Sequence, residues 1–331
     1  MAKRKVFSID FQLYKVTGVE KVMLNIHHAI QDEYEAKIVG NIPYYKIRKE
    51  HRILDCEYLQ FKNFFMFRNS IVIVHERRLL LLFWLLNHLL FQNIKIIYVH
   101  HSLFYNHKLT TLLPKTIVAI ADKGIENLTQ FFGAPISSII KIYNCVDDDY
   151  DHPHAPMNRK NITLILPGRI NYMKRQVEIV QQLAGKIDPH IKILFVGDGP
   201  QLDELRTSCE DKDNFVVLGF RDDVKELLRK ADYMLLYSVQ EGLPITLIEA
   251  TMIGMPIICN DVGGNKEICH HGKNGWVINN WDDLVYTLNN LHNVTSEEYI
   301  MMCKESRRIY KENFTFEIFK QKYLNLLSSM R

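Results

Sequence analysis

At 331 residues, 47% hydrophobic and 24% charged, the chain is too long for one average core and has the composition of a soluble globular protein with two domains. Its net charge of +3 is unevenly spread: residues 1–150 hold 19 Lys+Arg against 14 Asp+Glu, and residues 151–331 hold 22 against 24. So small an excess suits an anionic ligand or surface, or simply a solvated face, and does not imply a nucleic-acid partner.

The basic start "MAKRKVFSID" leads into a strand with no apolar signal core, so export is not expected. "DFQLYKVTGVEK" then places Gly18 just before the helix "GVEKVMLNIHHAIQ", where helix amides can meet a phosphate. "EAKIVGN" and "SIVIVHE" read as further strands. In "HERRLLLLFWLLNHLLFQN", 11 of the 13 residues from Leu79 to Phe91 are apolar, too few to span a bilayer. The favoured reading of residues 79–91 is a buried core helix; the alternative lays one face on an anionic membrane, with Arg77 and Arg78 at its start. The strand "IKIIYVHH" ends in His100 and His101, and a histidine pair at a strand's carboxyl end points to function more than a lone histidine does. "TIVAIAD", the helix "KGIENLTQFF" and the strand "IIKIYN" complete this half, and the polar "DDDYDHPHAPMNRKN" reads as a linker.

Beyond the linker, apolar runs alternate with helical stretches: "ITLILP", "IKILFVGD", "FVVLGF", "YMLLYS", "PIICND" and "GWVIN" are strands of a parallel sheet covered on both faces. Both halves are therefore expected to be Rossmann-like, with ligands at strand-to-helix loops facing a cleft. "LPGRINYMKRQ" supplies Gly168, then Arg169 and Lys174, a bidentate clamp and a point charge for phosphate. In "FVGDGPQLDEL", Gly197 and Gly199 read as turn packing. "VVLGFRDD" offers Gly219, Phe220 and Arg221 as contacts for a base. "EGLPITLIEA" sets Glu241 and Gly242 on a loop, Pro244 at the opening of a helix, the amides of Ile245, Thr246 and Leu247 at its N-terminus, and Glu249 one turn in. A carboxylate beside an anion site fits neutral donors such as sugar hydroxyls. Six scattered cysteines with no CxxC pair fit unpaired thiols in a reducing cytoplasm.

These residues resemble a known family. "TGVEK", "YVHHSL", "VAIADKGI", "YNCVD", "PGRINYMK", "VGDGP", "SVQEGLPITLIEA" and "GMPIICNDVGGNKEICHHGKNGWVI" follow the order seen in retaining GT-B glycosyltransferases of family 4, also called glycosyltransferase group 1. The resemblance implies an acceptor-binding domain over 1–150, a nucleotide-sugar-binding domain over 151–313, and a C-terminal helix over 314–331 that packs back on the first domain. By the same resemblance Arg169 and Lys174 hold the donor diphosphate, and Glu249 accepts from the ribose hydroxyls. Glu241, with the backbone of Gly242 and Leu243, adjoins the transferred sugar; His101 reaches that sugar, and Gly18 approaches the phosphates. Thr17-Gly18 stands where the family often has two glycines, and Cys145 where glycine is usual.

The implied reaction moves a hexose or N-acetylhexosamine from a UDP or GDP sugar to a hydroxyl of a glycan, with retention. The acceptor is expected to be polyprenyl-linked, and the enzyme cytoplasmic and peripheral on the inner face of the membrane. No Asp-x-Asp triplet occurs in a suitable loop, so neither a cofactor nor a catalytic metal is implied. One glutamate committed to ribose leaves no second carboxylate for glycoside hydrolysis. A nucleotide-sugar epimerase of the same architecture and a non-catalytic nucleotide-sugar-binding protein are the alternatives.

Overall fold

The apolar runs pair into two sheets in the computed structural model, which describes residues 3–15, 17–90, 92–151 and 161–330. The chain divides into two compact units, Met1–Cys145 with Thr315–Arg331, and Val146–Phe314.

In the first unit the strands are β1 (Lys5–Ile9), β2 (Glu35–Gly40), β3 (Tyr58–Gln60), β4 (Ile71–Val74), β5 (Lys95–His100), β6 (Thr116–Ala119) and β7 (Ile139–Lys141). They lie in the order β3-β2-β1-β4-β5-β6-β7, and every pairing is parallel. The order reverses between β1 and β4, the place where doubly wound sheets open a crevice. The helices of this unit are α1 (Gly18–Ile30), α2 (Leu79–Leu89) and α3 (Asp122–Glu126), the last running on as a π turn over Asn127–Phe131. Helix α1 starts at a capping box, Thr17 with Glu20, and buries Val22, Met23, Ile26, Ala29 and Ile30 on one stripe.

The second unit holds β8 (Ile162–Pro167), β9 (Ile191–Val196), β10 (Phe215–Gly219), β11 (Tyr233–Leu236), β12 (Ile257–Asn260) and β13 (Gly275–Ile278), all parallel, in the order β10-β9-β8-β11-β12-β13. Its helices are α4 (Gln176–Leu183), α5 (Leu202–Cys209), α6 (Val224–Lys230), α7 (Ile245–Met252), α8 (Asn265–Ile268), α9 (Trp281–Asn289) and α10 (Ser296–Asn313). Leu164, Leu166, Ile193, Phe195, Tyr233 and Leu235, all fully buried, lie at the heart of its core. The final helix, α11 (Phe316–Ser329), belongs to the first unit, where it packs on α1 and Arg4 donates to the Met330 carbonyl at 2.8 Å.

Two expectations need correction. The 79–91 stretch is not a buried core helix: in α2 only Leu79, Leu80 and Phe83 are buried, while Leu81, Trp84, Leu85 and Leu89 are exposed. A uniformly apolar sequence carries no information about which face a neighbour covers. Phe91, and residues 152–160 of the expected linker, lie outside the described residues. Just before them, Asp148 receives two hydrogen bonds from Arg307 at 2.8 and 2.7 Å, so this part of the linker is held by the second unit. The strand β3 was also not foreseen; its three residues, two of them exposed, leave no apolar run to detect.

Candidate active site

The second sheet brings β8 and β11 side by side, with Leu164 opposite Tyr233 and Ile165 opposite Met234. The loops that leave these two strands therefore meet, although they lie far apart in sequence. After β8 the chain turns at Gly168 and exposes Arg169, whose carbonyl accepts from the Gln176 amide side chain at 3.1 Å. Asn171 caps a single 3-10 turn, Tyr172–Lys174, by accepting from the Lys174 N–H at 3.1 Å. Lys174 thus ends this turn, two residues before α4 rather than on it. The Lys174 ammonium donates to Glu241 Oε1 at 2.6 Å, and the side chains keep only 20% and 10% of their exposure. The backbone closes the same junction, with Val239 N–H donating to the Met173 carbonyl at 2.8 Å.

Glu241 and Gly242 lead through buried Leu243 and Pro244 into α7. Pro244 caps this helix from just outside its first residue, Ile245. Leu247 N–H donates to the Pro244 carbonyl at 3.1 Å, so its amide is spent within the helix and the expectation of three open amides is corrected: Ile245 and Thr246 begin the turn. Glu249 stands half-buried one turn into α7. Positive charge, a carboxylate beside it, a helix N-terminus and a second carboxylate are thereby collected on two adjoining loops.

Gly197 and Gly199 prove to be packing residues, as the turn suggested. A Cβ on Gly197 would stand 2.0 Å from the Gly168 carbonyl, and one on Gly199 would stand 2.1 Å from that of Ile170. They brace the Arg169 turn from behind. Gly219 ends β10 and accepts from Gly197 N–H at 2.8 Å; Phe220 is exposed, and Arg221 chelates Asp223 at 2.7 and 2.6 Å.

Other contributors escaped the sequence. Gly264 N–H donates to the Gly242 carbonyl at 2.7 Å, and a Cβ on Gly263 would stand 2.2 Å from the Glu241 carbonyl. Asn260 exchanges two hydrogen bonds with the Ser238 backbone, at 3.0 and 2.7 Å, and Asn265 donates to the Asn260 carbonyl at 2.9 Å. The glycine pair in the loop after β12 was the available signal: two residues without side chains just beyond a strand's carboxyl end allow close backbone approach.

In the first unit Gly18 is the first residue of α1, and the amide of Val19 faces the Thr17 hydroxyl at 3.3 Å. His100 is a core residue. Its Nε2–H donates to Asn127 Oδ1 at 3.1 Å, its Nδ1 faces the Tyr98 hydroxyl at 3.3 Å, and burial pushes it down to about 4. His101 is only half-buried, and its Nε2 lies 2.9 Å from Nδ1 of the buried His75. Nε2 of His75 has no hydrogen-bond partner among the described residues. An orphaned buried N–H is the costlier defect, so that nitrogen carries no proton. His75 then donates from Nδ1, and His101 keeps its own proton on Nδ1. Both rings are held neutral chiefly by burial.

Two parallel doubly wound sheets with a last helix returned to the first define the GT-B fold. The Anabaena protein Alr3699/HepE, solved in complex with UDP, superposes on 98% of this chain and 100% of its own with a TM-score of 0.83 at 16% identity. Residues 147–308 match the family model "Glycosyl transferases group 1". The chain is 31% identical to N-acetyl-alpha-D-glucosaminyl L-malate synthase of Bacillus anthracis over 49% of its length, and 24% identical to UDP-Gal:alpha-D-GlcNAc-diphosphoundecaprenol alpha-1,3-galactosyltransferase of Escherichia coli over 46%. These matches span 45% and 41% of the two relatives. The family match lies wholly within the second unit, Val146–Phe314.

Proposed function

We propose that the protein transfers a hexose or N-acetylhexosamine, with retention, from a nucleoside diphosphate sugar to a glycan hydroxyl in surface polysaccharide synthesis. The observation that carries this reading is the Lys174–Glu241 pair at 2.6 Å, set where the loops after β8 and β11 meet. An ammonium has three donors, and Glu241 occupies one. The remainder serve a diphosphate, beside the Arg169 guanidinium and the α7 amides of Ile245 and Thr246. Glu249 accepts from ribose hydroxyls. Glu241, with the backbone of Gly242 and Leu243, faces the sugar. Gly219, Phe220 and Arg221 flank the base. From the first unit, His101 acts on the sugar through its Nδ1–H, and Gly18 on the phosphates.

As the anomeric C–O bond breaks, charge grows on the leaving diphosphate, and Arg169, Lys174 and the helix amides stabilise it. The acceptor oxygen bonds to the anomeric carbon on the same face, and its proton passes to a leaving phosphate oxygen. A UDP sugar is the first donor to test, because a like-folded protein binds UDP and a relative is named for UDP-Gal. That relative's diphosphoundecaprenol substrate also supports a polyprenyl-linked acceptor, met at the cytoplasmic face of the membrane. The test is donor hydrolysis and thermal shift against UDP, GDP and ADP sugars. No hydrolysis and no shift with any of them would overturn the reading.

A further inference from the structure

Helix α2 turns an apolar stripe to solvent. Leu81, Trp84, Leu85, His88 and Leu89 follow the i, i+3, i+4, i+7, i+8 pattern of one helix face, with Trp84 exposed to 40% and Leu89 to 70%. The opposite face, Leu79, Leu80 and Phe83, packs on Phe67, Val72 and Tyr98. The helix is clamped, so its outer face is a fixed feature: Asn87 exchanges two hydrogen bonds with the Ile94 backbone, at 3.0 and 2.9 Å. Arg77 at its start donates to the carbonyl and side chain of Asn106, at 2.6 and 2.7 Å, and stacks over Phe104. The loop tied to the helix start in this way runs on into the turn Lys108–Thr110, where Leu109 is 94% exposed and Lys108 is exposed as well.

The segment that carries the stripe holds charge of one sign only. From Arg77 to Ala121 there is no Asp or Glu, whereas Arg77, Arg78, Lys95, Lys108 and Lys115 are basic. Eleven helical residues cover about 16 Å, too short to cross a bilayer but suited to lying in its interface. A tryptophan, leucines and flanking cations match the interfacial layer of an anionic leaflet.

We infer that the outer face of α2, with the Lys108–Thr110 turn, is the surface by which the protein docks on an anionic bilayer. This rests on the membrane-side placement proposed above, and it names the surface. The experiment uses no sugar, so its failure is separate from failure of the transferase reading. The purified full chain is sedimented at low salt with vesicles of phosphatidylcholine alone, or of phosphatidylcholine with phosphatidylglycerol. Binding to the anionic vesicles only, weakened by salt, is expected, together with a blue shift of emission that Trp84→Phe removes. Arg78→Ala and Lys108→Ala should each weaken binding about fivefold. Leu81→Gln with Leu85→Gln and Leu89→Gln should weaken it about tenfold or more, in a chain that still melts cooperatively. Absence of binding to anionic vesicles, binding that these variants leave intact, or a dimer that they dissolve without lipid would each overturn the proposal.

Discussion

Gly263→Ala isolates how the site is braced. Gly263 has φ of +55°, and its new methyl carbon would lie 2.2 Å from the Glu241 carbonyl oxygen and 2.7 Å from that of Gly242. Gly272 provides the control, with φ of +75° and nothing within 4 Å of the added carbon. Both substitutions carry the left-handed backbone cost, ~1–2 kcal/mol. Only Gly263→Ala adds a forced contact, worth a further ~1–3 kcal/mol. The expected loss is therefore about 2–5 kcal/mol for Gly263→Ala and about 1–2 kcal/mol for Gly272→Ala. The clash is relieved by moving the Glu241–Gly242 backbone, and a displacement of about 1 Å at a reacting group costs ~100-fold in rate. Trp276 and Trp281 both lie in the second unit, so a Trp84→Phe background lets tryptophan emission report that unit alone during urea unfolding. Gly263→Ala should lower both the unfolding midpoint and turnover, and Gly272→Ala the midpoint alone. Equal stability of the two variants, with full turnover in Gly263→Ala, would refute the bracing.

Arg169→Ala and Lys174→Ala should each reduce turnover at saturating donor by the equivalent of about 2.7–4 kcal/mol, since they meet charge that grows in the transition state; near-normal turnover in both would remove the phosphate assignment. Glu249→Ala should chiefly weaken nucleotide binding, because a ribose contact is made equally before and during reaction, and unchanged binding of nucleoside diphosphate in calorimetry would count against it. Activity should survive EDTA; loss restored by magnesium or manganese would defeat the metal-free mechanism. His100, lowered by burial from 6.5 to about 4, stays neutral in the fold while the unfolded chain takes up a proton, so stability falls as pH drops from 6.5 toward 4. Asp10 acts oppositely: burial first, with Glu20 and Glu76 adding to it against the Gln12 amide, raises it from 3.8 to about 7, so it adds stability as pH falls through that window. Asp10→Asn should therefore lose stability more steeply on acidification than the wild type in urea titrations at a series of pH values, and an equal slope would contradict the assignment.

Local chemistry accounts for what the sequence alone determined. Strands buried on both faces must be apolar runs, so twelve of the thirteen strands among the described residues were legible, as were the two doubly wound halves and the loops that end their strands. Arg169, Lys174, Glu241 and Glu249 stood out because they fall on strand-to-helix loops, or one helical turn beyond, where doubly wound sheets bind ligands. Partnership was settled only in three dimensions. Lys174 and Glu241 are 67 positions apart, and they meet because β11 lies beside β8, a strand order that no local pattern encodes. The same holds for Gly263 against Glu241, and for His75 against His101, which share no helical turn or hairpin. Helix α2 shows the limit most directly: its leucines are alike in sequence, and only the packing of Leu79, Leu80 and Phe83 against the sheet decides that the other face is left to solvent.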